Sequence, residues 1–352
     1  MTLRDRLVAR IRADGPMPVS DYMAECLLHP EHGYYTTRDP LGAAGDFITA
    51  PEISQMFGEL IGLALAQAWM DQGAPGSFTL AEPGPGRGTL MADLLRATAS
   101  VPGFHDAARV VLIEASPTLR EAQRARLAGS PIHFAGSLHD LPEAPLFLVA
   151  NEFFDALPIR QFIREAGQWR ERQVGLREDT LAFGLGGPTT PQALAGRTDT
   201  RDGDLVETCP QAQTAMETIA SRIANHGGAA LVVDYGDWRS LGDTLQALRD
   251  HKPEDPLANP GNADLTAHVD FEALAAAAPD LTHSRLTPQG VFLERLGIAR
   301  RAEVLARGLA GDALASHSAA HRRLTHPDEM GTLFKCLGFV PEGAAMLPGL
   351  DP

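Results

Sequence analysis

Glu82-Pro-Gly-Pro-Gly-Arg-Gly88 follows directly on the apolar run Ser77-Phe-Thr-Leu-Ala81. The segment puts a carboxylate at a strand end and three glycines, Gly84, Gly86 and Gly88, in a tight turn that leads into a helix. Such a turn can bind a ligand through backbone N–H groups and a helix N-terminus, as dinucleotide folds bind pyrophosphate. Here Pro83 and Pro85 remove two of those donors, and Glu82 puts negative charge where a pyrophosphate would lie. The charge balance favours a cationic ligand, an ammonium or a sulfonium. Glycine strings of this spacing also occur in purely structural turns, so the turn has to be read with its neighbours.

The run Arg109-Val-Val-Leu-Ile113 is β-branched and unbroken, the pattern of a buried parallel strand, and it ends at Glu114. Between the two strands lies Thr89-Leu-Met-Ala-Asp-Leu-Leu-Arg96, whose apolar spacing is helical. Strand, glycine turn, helix, strand and acid thus come in the order of a nucleoside-binding α/β unit, where the acid accepts both ribose hydroxyls. Ser116, two residues on, joins Glu114 as a candidate contact. The alternative for Glu114 is an ordinary surface glutamate at a strand end. A ribose carboxylate beside a cation-favouring turn matches S-adenosylmethionine (SAM), and it resembles the way class I methyltransferases open their cofactor site.

A third strand end is also polar. Leu146-Phe-Leu-Val-Ala150 runs into Asn151-Glu-Phe-Phe-Asp-Ala-Leu-Pro158, beside the point where ligands of open α/β sheets bind. Asn151 is a candidate for the cofactor, and Glu152 and Asp155 are candidates for the methyl acceptor. The alternative is that Asn151 and Asp155 merely cap the turn. Upstream, Asp46-Phe-Ile-Thr49 precedes Pro51-Glu52-Ile-Ser54, and Asp46 and Thr49 would reach the cofactor if this loop folds over it. A helix-capping box explains the same residues. Asp234-Tyr-Gly236, at the end of a further strand, either borders the acceptor pocket or forms a turn.

The elements that must position these groups follow from periodicity. Strands are predicted at 78–82, 109–114, 132–135, 146–150 and 229–234, alternating with helices, which implies an α/β fold with a parallel sheet. A single helix is predicted from Pro51 to Trp69, with Pro in its first turn. After Pro158 a polar hairpin runs to Leu176, with a third strand at Leu181–Phe183; residues 186–204 read as loop, and a helix spans about 210–225. The expected organisation is an N-terminal helical region with a cofactor-covering loop at 1–76, a Rossmann-like core at 77–287 with an antiparallel insertion at about 159–205, and a C-terminal helical region at 288–352 that closes over the sheet.

The 352 residues are 44% hydrophobic, enough for a sizeable core, and carry a net charge of −15 with a pI near 5.2. That charge excludes a nucleic-acid or anionic-membrane footprint over the whole protein and suits a basic peptide or protein partner. Cys26, Cys209 and Cys336 lack any Cys-x-x-Cys spacing, and the histidines have no accompanying ligands, so no metal is expected. No apolar stretch approaches the about 18 residues of a membrane span. The N-terminus is Arg-rich and amphipathic like a mitochondrial presequence, but Asp5 and Asp14 count against that, and it reads as the first structural helix.

Long blocks of the chain resemble the MidA-like methyltransferases, a family of bacterial and mitochondrial proteins. The blocks are residues 32–59, 82–96, 114–127, 151–158, 255–271 and 329–339, including HGYYTTRDPLGAAGDFITAPEISQMFGE, EPGPGRGTLMADLLR and NEFFDALP. Residues 159–205 match poorly, and Leu41 stands where relatives often carry Phe. The resemblance implies a class I SAM-dependent methyltransferase with protein arginine as acceptor and symmetric dimethylarginine as product. It further implies a respiratory complex I core subunit as substrate, as for the mitochondrial member, which is a complex I assembly factor. The location would be cytoplasmic for a bacterial chain and the mitochondrial matrix for a eukaryotic one, and a homodimer stays open. Two other functions compete: a SAM-binding assembly chaperone with little catalytic activity, and a small-molecule methyltransferase.

Overall fold

In a computed structural model, which describes residues 1–37 and 49–352, the chain divides into two compact units. One comprises Met1–Phe47, Asp155–Gln213 and Asp237–Asp270; the other comprises Ile48–Phe154, Thr214–Gly236 and Phe271–Pro352. The second, larger unit is built on strands β1 (Phe78–Pro83), β2 (Ala108–Ile113), β3 (Ile132–Ala135), β4 (Leu146–Asn151), β5 (Gly228–Asp237), β6 (Leu281–His283) and β7 (Phe334–Pro341). Across the sheet they stand in the order β6-β7-β5-β4-β1-β2-β3. β3, β2, β1, β4 and β5 pair in parallel, and β7 runs antiparallel between β5 and β6. β1 and β4 are buried along their whole length, as strands covered on both faces must be, and this is why they read as unbroken apolar runs. Chain direction across the sheet reverses between β1 and β4, so their carboxyl ends flank the crevice in which such sheets bind ligands.

The helices that set the crevice are α1 (Ala50–Ile53), α2 (Gln55–Asp71), α3 (Thr89–Thr98) and α4 (Pro117–Arg126). The single helix expected from Pro51 to Trp69 is two. Ser54 is extended, at φ −160° and ψ 138°, and its hydroxyl accepts the Met56 N–H at 3.3 Å, so it caps α2 and ends α1. Gly58 and Gly62 of α2 let α3 come close, because a Cβ on Gly58 would stand 2.7 Å from Asp93 Cβ and one on Gly62 2.8 Å from Leu94 Cγ. That close packing fixes the helix which leaves the glycine turn. Glu59, on the buried side of α2, is neutralised by Arg301 of helix α5 (Ile298–Ala306) at 2.7 and 2.9 Å and by Arg96 of α3 at 3.1 Å.

The C-terminal segment holds the expected helices, Gln289–Arg295, α5 and Gly311–Thr325, but it also supplies β7. Phe334-Lys-Cys-Leu-Gly-Phe-Val-Pro341 is a short apolar run of the kind periodicity cannot divide between helix and strand. No helix of the described residues is long and apolar enough to cross a membrane.

The smaller unit is antiparallel. Arg160–Glu165, Gln168–Arg177 and Thr180–Thr189 pair in succession, with Met17–Pro18 and Leu205–Thr208 added. The third strand thus continues beyond the expected Leu181–Phe183 and takes the first residues of the segment read as loop. Its polar character is paired rather than solvated: Arg160 forks onto Glu171 at 2.7 and 2.8 Å, and buried Gln161 donates to Glu207 and Asp243 at 2.7 and 2.8 Å. The helix Leu3–Asp14, capped by Thr2, buries Leu3, Leu7 and Ile11 on one side, the structural role expected of it.

Candidate functional site

The glycine turn starts where β1 ends. Gly84, Gly86 and Gly88 have φ of +62°, +52° and +77°, in the left-handed region that side chains rarely adopt. The Gly84 N–H donates to Ile113 O at 3.0 Å, which ties the turn to the end of β2, and a Cβ on Gly84 would come within 3.2 Å of Phe153. Gly88 is the N-cap of α3, and the hydroxyl of Thr89 donates to Glu52 of α1.

Glu82 is buried at the end of β1, 3% exposed. The Met91 N–H in the first turn of α3 donates to its carboxylate, but its Oε2 has no hydrogen-bond partner among the described residues. Burial pushes its pKa up to about 8, against the pull of the Met91 bond. At the end of neighbouring β4, Asn151 is also buried and its Oδ1 also lacks a partner among the described residues, while its Nδ2 donates to Glu152 Oε1 at 3.1 Å. Two buried acceptors with capacity to spare therefore stand at adjacent strand ends, and each is costly there unless a donor or cation reaches it.

Glu114, just beyond β2, is buried and oriented by the N–H groups of Ala115 and Ser116 and by the Gln123 amide. Its Oε1 accepts the Ser116 N–H at 2.7 Å and its Oε2 accepts Gln123 Nε2 at 3.2 Å. Burial raises its pKa, and the donors pull it back. The Ser116 hydroxyl faces the Leu119 N–H at 3.4 Å and caps α4, so this residue meets Glu114 through its backbone. Gln123 also donates to Gly86 O at 2.6 Å, a contact that no sequence motif marks. The one signal for it is position: it stands four residues after buried Leu119, a polar side chain on the covered face of α4.

Glu152 adopts φ +49° without being glycine. Its N–H donates to Val233 O at 2.9 Å, and its Oε1 accepts the Ala50 N–H at 3.0 Å in addition to Asn151 Nδ2. Asp234 of β5 is fully buried; its Oδ2 accepts the Phe154 N–H and its Oδ1 the Tyr235 N–H, both at 3.0 Å. It thus supports the loop after β4 from behind. Thr49 is the N-cap of α1 through its carbonyl, which accepts the Glu52 and Ile53 N–H groups, and its side chain makes no capping bond. Asp155 belongs to the smaller unit, where its carbonyl accepts the Ala267 N–H at 3.0 Å. In the same unit Tyr35 donates to Asp264 at 2.8 Å, and its phenol pKa is raised by burial first and then by the charges of Asp264 and Asp155. Asp46 lies outside the described residues.

A parallel sheet that reverses order between β1 and β4, carries an antiparallel β7 beside β5, and has acids at the ends of β1 and β2 defines a SAM-dependent methyltransferase of the class I fold. Residues 60–289 match a family of S-adenosyl-L-methionine-dependent methyltransferases, and the chain belongs to that family. Among its relatives, the mitochondrial protein arginine methyltransferase NDUFAF7 of Xenopus laevis is 38% identical over 96% of this chain and 84% of its own length. The human NDUFAF7 is 41% identical over 85% of this chain and 74% of its own length. A crystal structure of a Burkholderia thailandensis protein bound to S-adenosyl-homocysteine superposes with a TM-score of 0.85, at 28% identity, over 99% of this chain and 93% of that one.

Proposed function

We propose that this chain transfers methyl groups from SAM to arginine in a protein substrate, the activity for which its NDUFAF7 relatives are named. The observation that carries the cofactor side is the pair of under-satisfied buried acceptors, Glu82 Oε2 and Asn151 Oδ1, at the ends of β1 and β4. They fit the cationic methionine portion of SAM, Gly84, Gly86 and Gly88 fit the close backbone approach, and Glu114 with the Ser116 N–H fits the ribose. Thr49 and Asp46 belong to the segment proposed to cover the cofactor.

The cofactor supplies a methyl group on a sulfonium, which is already an activated leaving group. What remains for the protein is to align the acceptor nitrogen, exclude water and dispose of a proton. An arginine guanidinium is protonated at neutral pH and a poor nucleophile, so carboxylates must hold it and favour loss of one N–H proton as the new N–C bond forms. Glu152 and Asp155 are proposed for that task. Glu152 Oε1 already accepts two N–H groups, so a two-pronged grip on a guanidinium requires one of those donors to yield. A subunit of respiratory complex I is the proposed substrate, with symmetric dimethylarginine as product, and a homodimer the proposed assembly.

The test is transfer of labelled methyl groups from SAM into lysate proteins of cells lacking this gene, with mass spectrometry of the labelled band. Label on arginine in a protein is expected. Label recovered only in small molecules refutes the acceptor class, and no transfer with intact SAM binding favours a chaperone.

A further inference from the structure

Gln123 lies on the covered face of α4 with no exposed surface, and its amide touches two separate parts of the site. Its Nε2 donates to Gly86 O in the glycine turn at 2.6 Å and to Glu114 Oε2 at 3.2 Å. Both partners are acceptors, so the nitrogen must face them, and the two hydrogens of a primary amide serve both at once. No other uncharged side chain of this length can do so. The remaining atom, Oε1, is buried without a partner among the described residues. A side chain present only to fill space carries no such penalty, since methionine has nearly the same shape and no oxygen to leave unsatisfied.

We propose that Gln123 is a positioning residue for the cofactor: it pins the ribose carboxylate of Glu114 to the glycine turn and presents it for the ribose diol. The proposal rests on the assignment of Glu114 to the ribose. Without the amide, Glu114 keeps only backbone N–H donors, from Ser116 and Ala115, loses its tie to the glycine turn and gains rotational freedom about its long side chain. The loss should therefore fall on discrimination for the ribose hydroxyls rather than on binding in general.

The experiment measures, by calorimetry on the full chain, the affinity of S-adenosylhomocysteine and of its 2′-deoxyribose analogue. The ratio of the two is the readout, because general weakening of the fold cancels from it. The wild type should prefer the ribose form by about tenfold or more, the scale of one hydrogen bond to a charged group. In Gln123→Met the ratio should fall at least about fivefold, and in Glu114→Gln it should approach one. Gln123→Glu provides a second variant if the first folds poorly. Only its protonated carboxyl can donate to Glu114, so its ratio should be larger at pH 6 than at pH 8. A wild-type ratio in both Gln123 variants, with the ratio lost in Glu114→Gln, overturns the role of Gln123 alone. A wild-type ratio in Glu114→Gln removes the ribose assignment and the proposal with it.

Discussion

Cofactor affinity should rise steeply between pH 6 and pH 7.5, and Glu82 is the reason. Its pKa of about 8 in the cofactor-free protein comes from burial, with only the Met91 N–H to favour the charged form. On the reading proposed here the carboxylate must be ionised to receive a cation, so the fraction ionised sets the apparent affinity. With a pKa of about 8 that fraction is roughly 0.01 at pH 6 and roughly 0.24 at pH 7.5. The α-amino group of S-adenosylhomocysteine, beside its own carboxylate, keeps its charge over this range, so the net gain stays at roughly twentyfold.

Calorimetric titration with S-adenosylhomocysteine gives the affinities. Repeating it in buffers of different ionisation enthalpy should show nearly one proton released on binding at pH 6.5. Stability of the free protein should run the other way. A carboxyl whose folded pKa is raised above its ordinary 4.5 stabilises the fold fully below about 4.5 and loses that contribution as pH rises through about 8. In Glu82→Gln both dependences should flatten, with weaker binding at pH 7.5. Equal pH slopes in the variant and the wild type would refute the assignment of the cation site to Glu82.

SAM or S-adenosylhomocysteine should raise the melting temperature and NAD should not, since Pro83 and Pro85 withhold phosphate donors and Glu82 is acidic; stabilisation by NAD alone contradicts this. Gly86→Val should abolish cofactor binding in a thermal-shift assay while the fold persists, because φ of +52° and the space of the missing side chain are both needed. Glu152→Gln keeps an acceptor for Ala50 and Asn151 but loses the charge, so methyl transfer should fall at least about a hundredfold with little change in cofactor affinity. Unchanged turnover in that variant moves the role to other acids. Arg301→Met should cost about 1–2 kcal/mol in urea unfolding, since buried Glu59 keeps Arg96 and the lost partner is itself about a third exposed.

The geometry of the candidate cofactor site is legible in the sequence because its parts are local. Glycines at positive φ, a carboxylate ending an apolar strand and a second one a βα unit later are each dictated by backbone geometry within a few residues of the motif. Strands β1, β4 and β5 were legible for a related reason, since burial on both faces forces a largely apolar run. What escaped depends on partners distant in the chain. Gln123 acquires its contacts only once α4 is laid against the glycine turn, and the break at Ser54 reflects a cap that outweighs helix propensity on both sides. Strand β7 looks like a short apolar helix until β5 offers it an edge.

The loop after β4 shows the same dependence in its strongest form. A left-handed, non-glycine Glu152 costs on the order of 1 kcal/mol or more and persists only where its surroundings over-determine it. Those surroundings are Val233 O for its N–H, the Ala50 N–H and Asn151 Nδ2 for its carboxylate, and Asp234 for the N–H of Phe154 two residues on. They come from β5, from α1 and from β4 itself, so no window of sequence contains the reason for the conformation. The loop is held this way before any substrate arrives. On the proposed function, the carboxylate offered to the guanidinium is then oriented by the fold rather than by the acceptor, and the cost of engaging it is the one donor that must yield. On that proposal the same bonds make α1 part of the acceptor side. The Ala50 N–H that steadies Glu152 lies one residue after Thr49, so a movement of that segment would reach the proposed cofactor contacts and the proposed acceptor contacts together.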